Sequence, residues 1–472
     1  MILPTAKKCS NCSRLQHEID QLKEEVRDLK GANQALQVSL AEAKKDSSTS
    51  SKPPSSDLVK PPKTSAGADQ PKGKIGAQPG HPANLRSPFP PEQINRTMDH
   101  HLDCCPECGH GLQDSQQPPR VVQQIDLPQS TPIIEEHRSY AGWCPQCQKL
   151  FAAPLPKHIE EGGLFGCHLR TVVAYLKGAC HASYSTIRKY FRDVLQIPVS
   201  RGYLAKVIAE VTAMLARPYE ELFERLPEEG FVNVDETGHP DQGADLWTWC
   251  VRAELFTLYH VDPCRKSDVL MELLGKEYEG VLGCDYFSAY RRYMRLGDIR
   301  VQFCLAHLIR DVKFLTTLPD GRDRAYGERL REALRGLFQV IHAHERLGER
   351  SFQKALRHAR DKVLEAGMDQ VPAGKHCQNM AKRFRKHGES YFTFMTTPGV
   401  DPTNNVVEQA LRFVVIDRLI TQGTRSAIGQ RWCERIWTVM ATCAQQGKSV
   451  YAFVGACITA SLQGTATPSL LS

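Results

Sequence analysis

No stretch of the 472-residue chain strings together the roughly 18 apolar residues that a membrane-spanning helix needs. The opening residues, MILPTAKKCSNCSRL, hold no apolar core of the kind a secretory signal carries, so retention in the cytoplasm is expected. A large excess of one charge sign is also missing. Lys and Arg number 60 against 53 Asp and Glu, a net +7, which permits a polyanionic partner without demanding one. A disulfide framework is excluded on other grounds: the cysteines number 17, an odd count, in a chain without an export signal. Metal ligands and buried thiols are the better readings. What remains is ordinary globular composition, 41% apolar and 24% charged, with length for about three folded units at roughly 100–200 residues each.

Heptad spacing dominates the N-terminal region. Leu15, Leu22, Leu29 and Leu36 recur every seven residues, and Ile19, Val26, Asn33 and Leu40 follow each by four. Leu at d with β-branched residues at a favours a parallel two-stranded coiled coil, in which Asn33 would fix the register. Cys9 and Cys12 form a lone Cys-x-x-Cys before it, read as free thiols rather than a metal site. From Asp46 to Arg86 the composition turns to Ser, Pro, Gly, Ala and Lys, as in SSTSSKPPSSD, and apolar periodicity vanishes. This reads as a flexible tether whose six basic residues from Lys52 to Arg86 suit a nucleic-acid backbone.

Cys105-Pro-Glu-Cys108 and Cys144-Pro-Gln-Cys147 are two tight knuckles. Four thiolates from such a pair match the tetrahedral preference of Zn²⁺, and the runs VVQQIDL and IIEEHRSY between them read as strands. A zinc-ribbon-like module with a structural ion is expected. After Pro156 the period becomes helical, and three helices are predicted, with Ser185 and Ser200 as N-caps. A short QIPV turn between the second and third suggests a helix-turn-helix-like unit. Arg188, Lys189 and Arg192, followed by Arg201, Tyr203 and Lys206, are then candidate DNA contacts.

From Gly230 the pattern is three strands, a helix, a strand, a helix and a strand, the order of a ribonuclease H-like core. GFVNVDETG ends its strand in Asp235, and GVLGCDYFSAY ends its own in Asp285. Two carboxylates at neighbouring strand ends can share Mg²⁺ or Mn²⁺ ions for in-line phosphoryl transfer. A later helix, NNVVEQALRFVV, offers Glu408, with Asn404 or Asn405 as its cap. Glu236 rivals Asp235, but adjacent strand residues point to opposite faces, and Asp235 is preferred. Between Asp285 and Glu408 a helical insertion is expected. It carries an acid-free run with Lys382, Arg383, Arg385 and Lys386 as a candidate DNA surface. Cys304 and His307 form a Cys-x-x-His after the fifth strand, read as a packing pair near the site.

The zipper, SSKPPSSD, GAQPGHP, the two knuckles flanking QIDLP, VDETG, CDYFSAY and NNVVEQALR together resemble the insertion sequence 66 family of DDE-type transposases. The resemblance implies Asp235, Asp285 and Glu408 as the catalytic triad, cleavage at the ends of a mobile element, and joining to target DNA. It also implies small accessory proteins of the same element and a bacterial, nucleoid-associated location. The expected architecture is multidomain α/β: a coiled coil (1–45), a tether (46–86), a zinc module (87–157) and a helical DNA-binding segment (158–227). A core in two parts (228–310 and 390–430) follows, with a helical insertion (311–389) and a C-terminal helical segment (431–472). Double-stranded DNA and a homodimer or higher assembly are the expected partners, with no membrane. The rival readings are a catalytically inactive regulator derived from such an enzyme and a general nuclease of the same fold.

Overall fold

The computed structural model describes residues 10–46, 49, 88–104, 106–110, 118–125, 132–160 and 163–472. Apart from Asp46 and Thr49, the expected tether lies outside these residues, as do Cys9 and Cys105. Residues 63–135 form one compact unit, and 1–62 with 136–472 form the other. In the smaller unit the described chain is irregular, with one 3₁₀ turn at Pro91–Gln93. The Gln123 side chain pins the Phe89 backbone there, accepting from its N–H at 2.7 Å and donating to its carbonyl at 3.0 Å.

Neither expected strand forms at 121–125 or 133–140. Val121, Val122, Ile133 and Ile134 all remain exposed, so alternation there found no apolar surface to bury against. In the larger unit the pairing falls further along the chain. β1 (Ala141–Cys144) and β2 (Lys149–Ala152) make an antiparallel hairpin with Trp143 opposite Leu150.

The larger unit begins with α1 (Ser10–Ala43). Its heptad leucines at 15, 22, 29 and 36, with Ile19 and Val26, stay exposed on the single chain. Its C-terminal end packs on the rest of the unit, where Glu42 pairs with His376 at 2.9 Å and Gln34 donates to Asp320 at 3.4 Å. After the hairpin come α2 (Lys157–Glu160), α3 (Cys167–Gly178), α4 (Tyr184–Asp193), α5 (Arg201–Met214) and α6 (Ala216–Arg225). The third expected helix is therefore two. Pro218 has no N–H to offer Met214, and the helix breaks at Leu215. Ser200 caps α5 as expected, donation coming from Tyr203 N–H at 3.1 Å. Ser183 rather than Ser185 caps α4, because its hydroxyl reaches Thr186 N–H at 3.0 Å.

A five-stranded mixed sheet follows, built from β3 (Phe231–Asp241), β4 (Ala244–Arg252), β5 (Thr257–Asp262), β6 (Val281–Cys284) and β7 (Arg300–Phe303) in the order β5-β4-β3-β6-β7. β3, β4 and β5 run antiparallel to one another, whereas β3–β6 and β6–β7 are parallel. α7 (Ser267–Leu274) and α8 (Ser288–Gly297) form the parallel crossovers. Fully buried Val232, Val234, Val251, Leu258 and Leu282 make the sheet the centre of the core.

Helices α9 (Leu305–Leu315), α10 (Gly321–His342), α11 (Glu349–Met368) and α12 (Lys375–His387) lie between β7 and α13 (Asn405–Thr421). α14 (Ala427–Gln445) and α15 (Val450–Gln463) close the chain. α13 and α14 cover one face of the sheet: Tyr259 of β5 donates to the Ala410 carbonyl and packs on Trp437. α8 covers the other, where Tyr290 meets Trp249 edge-on. No helix among the described residues is long and apolar enough to cross a membrane.

Candidate active site

β3 and β6 set the first two acids side by side. Asn233 is paired with Gly283 in the parallel register, and Asp235 and Asp285 each stand two residues further on. Alternation puts Asn233 and Asp235 on the face that α13 covers, and Val232, Val234 and Glu236 on the other. Burial raises the Asp235 carboxyl well above the usual range, and the negative charges of Glu236, Asp285 and Glu408 add to it. Asp285 is pushed up to about 7, first by burial and then by Glu236; the Phe287 N–H and the Arg383 and Arg265 guanidinium groups oppose the rise. Glu236 is already engaged. Arg265 holds it at 2.6 and 2.8 Å, and the Tyr290 hydroxyl donates to its other oxygen. Arg265 is itself stacked over Trp247 and Phe287.

Glu408 stands in the first turn of α13. A buried polar clamp fixes the start of that helix against β3. Asn233 Nδ2 donates to Asn404 Oδ1 at 2.7 Å, Asn404 Nδ2 donates to the Val234 carbonyl at 2.9 Å, and Asn404 N–H donates to Cys304 Sγ at 3.1 Å. Asn404 therefore sits at the N-cap position, but its side chain does not cap the helix; it is spent on the strand that carries Asp235. Gly283 makes room, since a Cβ there would come within 2.5 Å of Asn233 Nδ2.

Cys304, His307 and Glu408 offer ligand atoms within 4.8 Å of one another, as do His260, Asp262 and Glu272; the set Asp235, Asp285 and Glu408 is not so close. The third donor beside the Cys-x-x-His pair is thus Glu408, a neighbour that spacing alone did not reveal because 101 positions separate it from His307. Arg310 Nη1 approaches His307 Nε2 at 3.3 Å. A guanidinium can only donate, so Nδ1 carries the proton of the neutral ring and faces Glu408 Oε1 at 3.6 Å. Burial lowers the His307 pKa, which favours that neutral form. Arg310 also pairs with Glu408 at 3.1 Å, yet Glu408 Oε1 is buried without a hydrogen-bond partner. The orphaned Glu408 oxygen and the raised Asp285 carboxyl are both groups that a divalent cation could neutralise.

Of the basic residues predicted to meet DNA, Arg188, Lys189, Arg192, Arg201 and Lys206 are all exposed on α4 and α5. Arg192 is paired with Asp193, and Lys206 lies 3.9 Å from Glu210. Tyr203 is half-buried, its hydroxyl accepting from Phe165 N–H at 3.0 Å. On α12, Lys382, Arg385 and Lys386 are exposed. Arg383 is not: it is 9% exposed, bound to Asp311 at 2.7 Å and to the Tyr391 hydroxyl. The basic run counted it as surface, but helical periodicity turns it inward between the exposed lysines.

Among the knuckle cysteines, Cys147 N–H donates to Cys144 Sγ at 3.4 Å across the β1–β2 turn. That bond holds the Cys144 thiol below its ordinary pKa, as a thiolate ligand requires. Cys108 lies in the smaller unit and Cys144 and Cys147 in the larger.

The mixed sheet flanked by helices, with acids just past the ends of the shared register of two neighbouring strands, is of α/β construction. Residues 162–431, more than half of the chain, match the family described as "Transposase IS66 family", and the chain belongs to that family. No curated protein matches it significantly. Membership gives the protein a transposase role, with nucleic acid as partner and divalent metal in use.

Proposed function

We propose that the protein is a DNA transposase that cuts at the ends of an insertion sequence and joins the freed 3′-hydroxyls to target DNA, with Asp235, Asp285 and Glu408 as its catalytic carboxylates. The observation that carries this reading is the parallel register of β3 and β6, which sets Asp235 and Asp285 two residues past the paired Asn233 and Gly283, with the start of the Glu408 helix tied to β3 through Asn404. Mg²⁺ or Mn²⁺ held by these carboxylates would supply Lewis-acid polarisation of the scissile phosphodiester. The chain's own residues do the positioning. Asn404 ties the Glu408 helix to β3, Arg310 holds the Glu408 carboxylate, His307 faces its other oxygen, and Arg265 with Tyr290 keeps Glu236 out of competition. Chemistry of this class rests on positioning and charge neutralisation rather than covalent catalysis.

The same reading gives exposed Arg188, Lys189 and Arg201 to duplex DNA, the exposed α1 stripe to a homodimer, and one zinc ion to Cys105, Cys108, Cys144 and Cys147, resting on their spacing. The test is a plasmid carrying the DNA that flanks the gene on both sides. The chain should nick and join it in Mg²⁺, and Asp235→Asn, Asp285→Asn and Glu408→Gln should each abolish this while retaining DNA binding. Normal nicking by any of the three would overturn the assignment.

A further inference from the structure

A cavity of about 540 Å³ opens between Tyr286, the residue that follows Asp285 in the chain, and the basic face of α12. Among the described residues, five cationic side chains line it against one carboxylate, Asp311, which Arg383 already neutralises. Two of the cations are held in an unusual way. The Arg383 guanidinium lies 3.9 Å from the Tyr286 ring centre, and that of Arg291 lies 4.5 Å from the same centre. Arg383 Nη2 and Arg291 Nε are both buried without a hydrogen-bond acceptor. Two like charges on one ring, each with a buried donor left unmade, are costly unless an anion supplies the acceptors. Lys382 and Lys386, one helical turn apart at the rim, make no ion pair among the described residues. The end of α1 closes one side, with Lys45 Nζ 3.6 Å from the Phe314 ring centre and Glu42 spent on His376.

We propose that this cavity is a phosphate-binding subsite for a nucleic-acid strand, in which Arg291, Arg383, Lys382 and Lys386 receive a backbone phosphodiester next to Asp285. It rests on the proposed function and adds to it the place where the strand is gripped beside the cut. A strand is favoured over a free phosphate because the cations continue from the buried pair out to the exposed lysines Lys382 and Lys386, as a running backbone needs.

Binding is measured on the full chain by fluorescence anisotropy in EDTA, so that no chemistry occurs. The probes are a mixed-sequence single strand of about 20 nucleotides, its duplex, and inorganic pyrophosphate. Arg291→Gln and the double variant Lys382→Ala/Lys386→Ala should each weaken single-strand binding about tenfold and flatten the salt dependence by roughly 0.7 per lost contact. The control Lys354→Ala/Arg357→Ala, on exposed α11 positions, removes the same charge elsewhere and should change binding less than about twofold. Equal losses in the control, or none in the cavity variants, would overturn the subsite. Acetylation of Lys382 and Lys386 should be blocked by the strand and not by pyrophosphate at the same phosphate concentration; equal protection would assign the cavity to a free phosphate instead. Metal-dependent nicking is scored separately. A chain that grips the strand here but never nicks refutes the transposase reading alone, and one that nicks with unaltered binding in the cavity variants refutes the subsite alone.

Discussion

Asp285 is an acid whose ordinary ionisation has been displaced to about 7 by burial and by the Glu236 carboxylate. Its folded pKa lies above the unfolded one, so its contribution to the stability of the metal-free protein is complete below about pH 4 and is lost as pH rises through about 7. The thermal midpoint in EDTA should therefore fall by several degrees between about pH 5 and 8. Asp285→Asn, neutral throughout, should flatten that fall and melt higher than the parent at the upper pH; an unchanged slope in differential scanning calorimetry would refute the assignment. Mg²⁺ should restore the parent's midpoint at the upper pH and leave the variant's unmoved. Asp235, Asp285 and Glu408 could be singled out in the sequence because each acid ends or opens an apolar run. Arg310 and Asn233 could not, since each gains its role from a partner far along the chain, and the Cys-x-x-His spacing showed His307 without Glu408 beside it.

Two short elements decide where the third carboxylate stands: the start of α13 and the strand beneath it. Removing Asn404 would leave Asn233 Nδ2 and the Val234 carbonyl buried without their partner, a loss of roughly 1–3 kcal/mol. Asn404→Ala should thus lower the thermal midpoint and reduce nicking more than DNA binding, whereas equal nicking by parent and variant would show that the clamp does not position Glu408. Gly283→Ala, which brings a methyl within 2.5 Å of Asn233 Nδ2, should produce the same split at a cost of about 1–3 kcal/mol. At the far end of β3, His239 is buried between Thr248 and Thr424 and its pKa is lowered to about 4, chiefly by burial. Strand and helix periods were legible because the core elements bury one face or both. Three features escaped: the β1–β2 hairpin, the break at Leu215 and the inward turn of Arg383. The first depended on which apolar run found a partner, the second on a single proline, and the third on rotation within a helix that composition alone read as uniformly basic.

Across the whole molecule, α1 carries an apolar stripe that the single chain leaves exposed, Leu36 at 70%. A second copy of the same helix would cover it in register. Leu22→Lys/Leu29→Lys in the full chain should shift sedimentation from dimer to monomer at micromolar concentration; an unaltered dimer would place the interface elsewhere. Elemental analysis should find about one zinc per chain, lost in Cys144→Ser; a full complement in that variant would dismiss Cys144 as a ligand. The heptad and Cys-Pro-x-Cys spacings stand out as patterns because they are local, whereas the candidate site is assembled by contacts of long sequence range. The link between Asn233 and Asn404 spans 171 residues. At a synthesis rate of about 5–20 residues per second, roughly 10–30 s separate the emergence of its two halves from the ribosome. During that time α1 has been made, but neither the helix bearing Glu408 nor α14 and α15, on which α3 and α5 pack, has been. On the proposed function, a product released early by a stalled ribosome would keep the α1 stripe that pairs with a partner chain but lack the Glu408 carboxylate, and so act as a competitor of the finished enzyme. On that reading, every new copy can pair through α1 before it can cut.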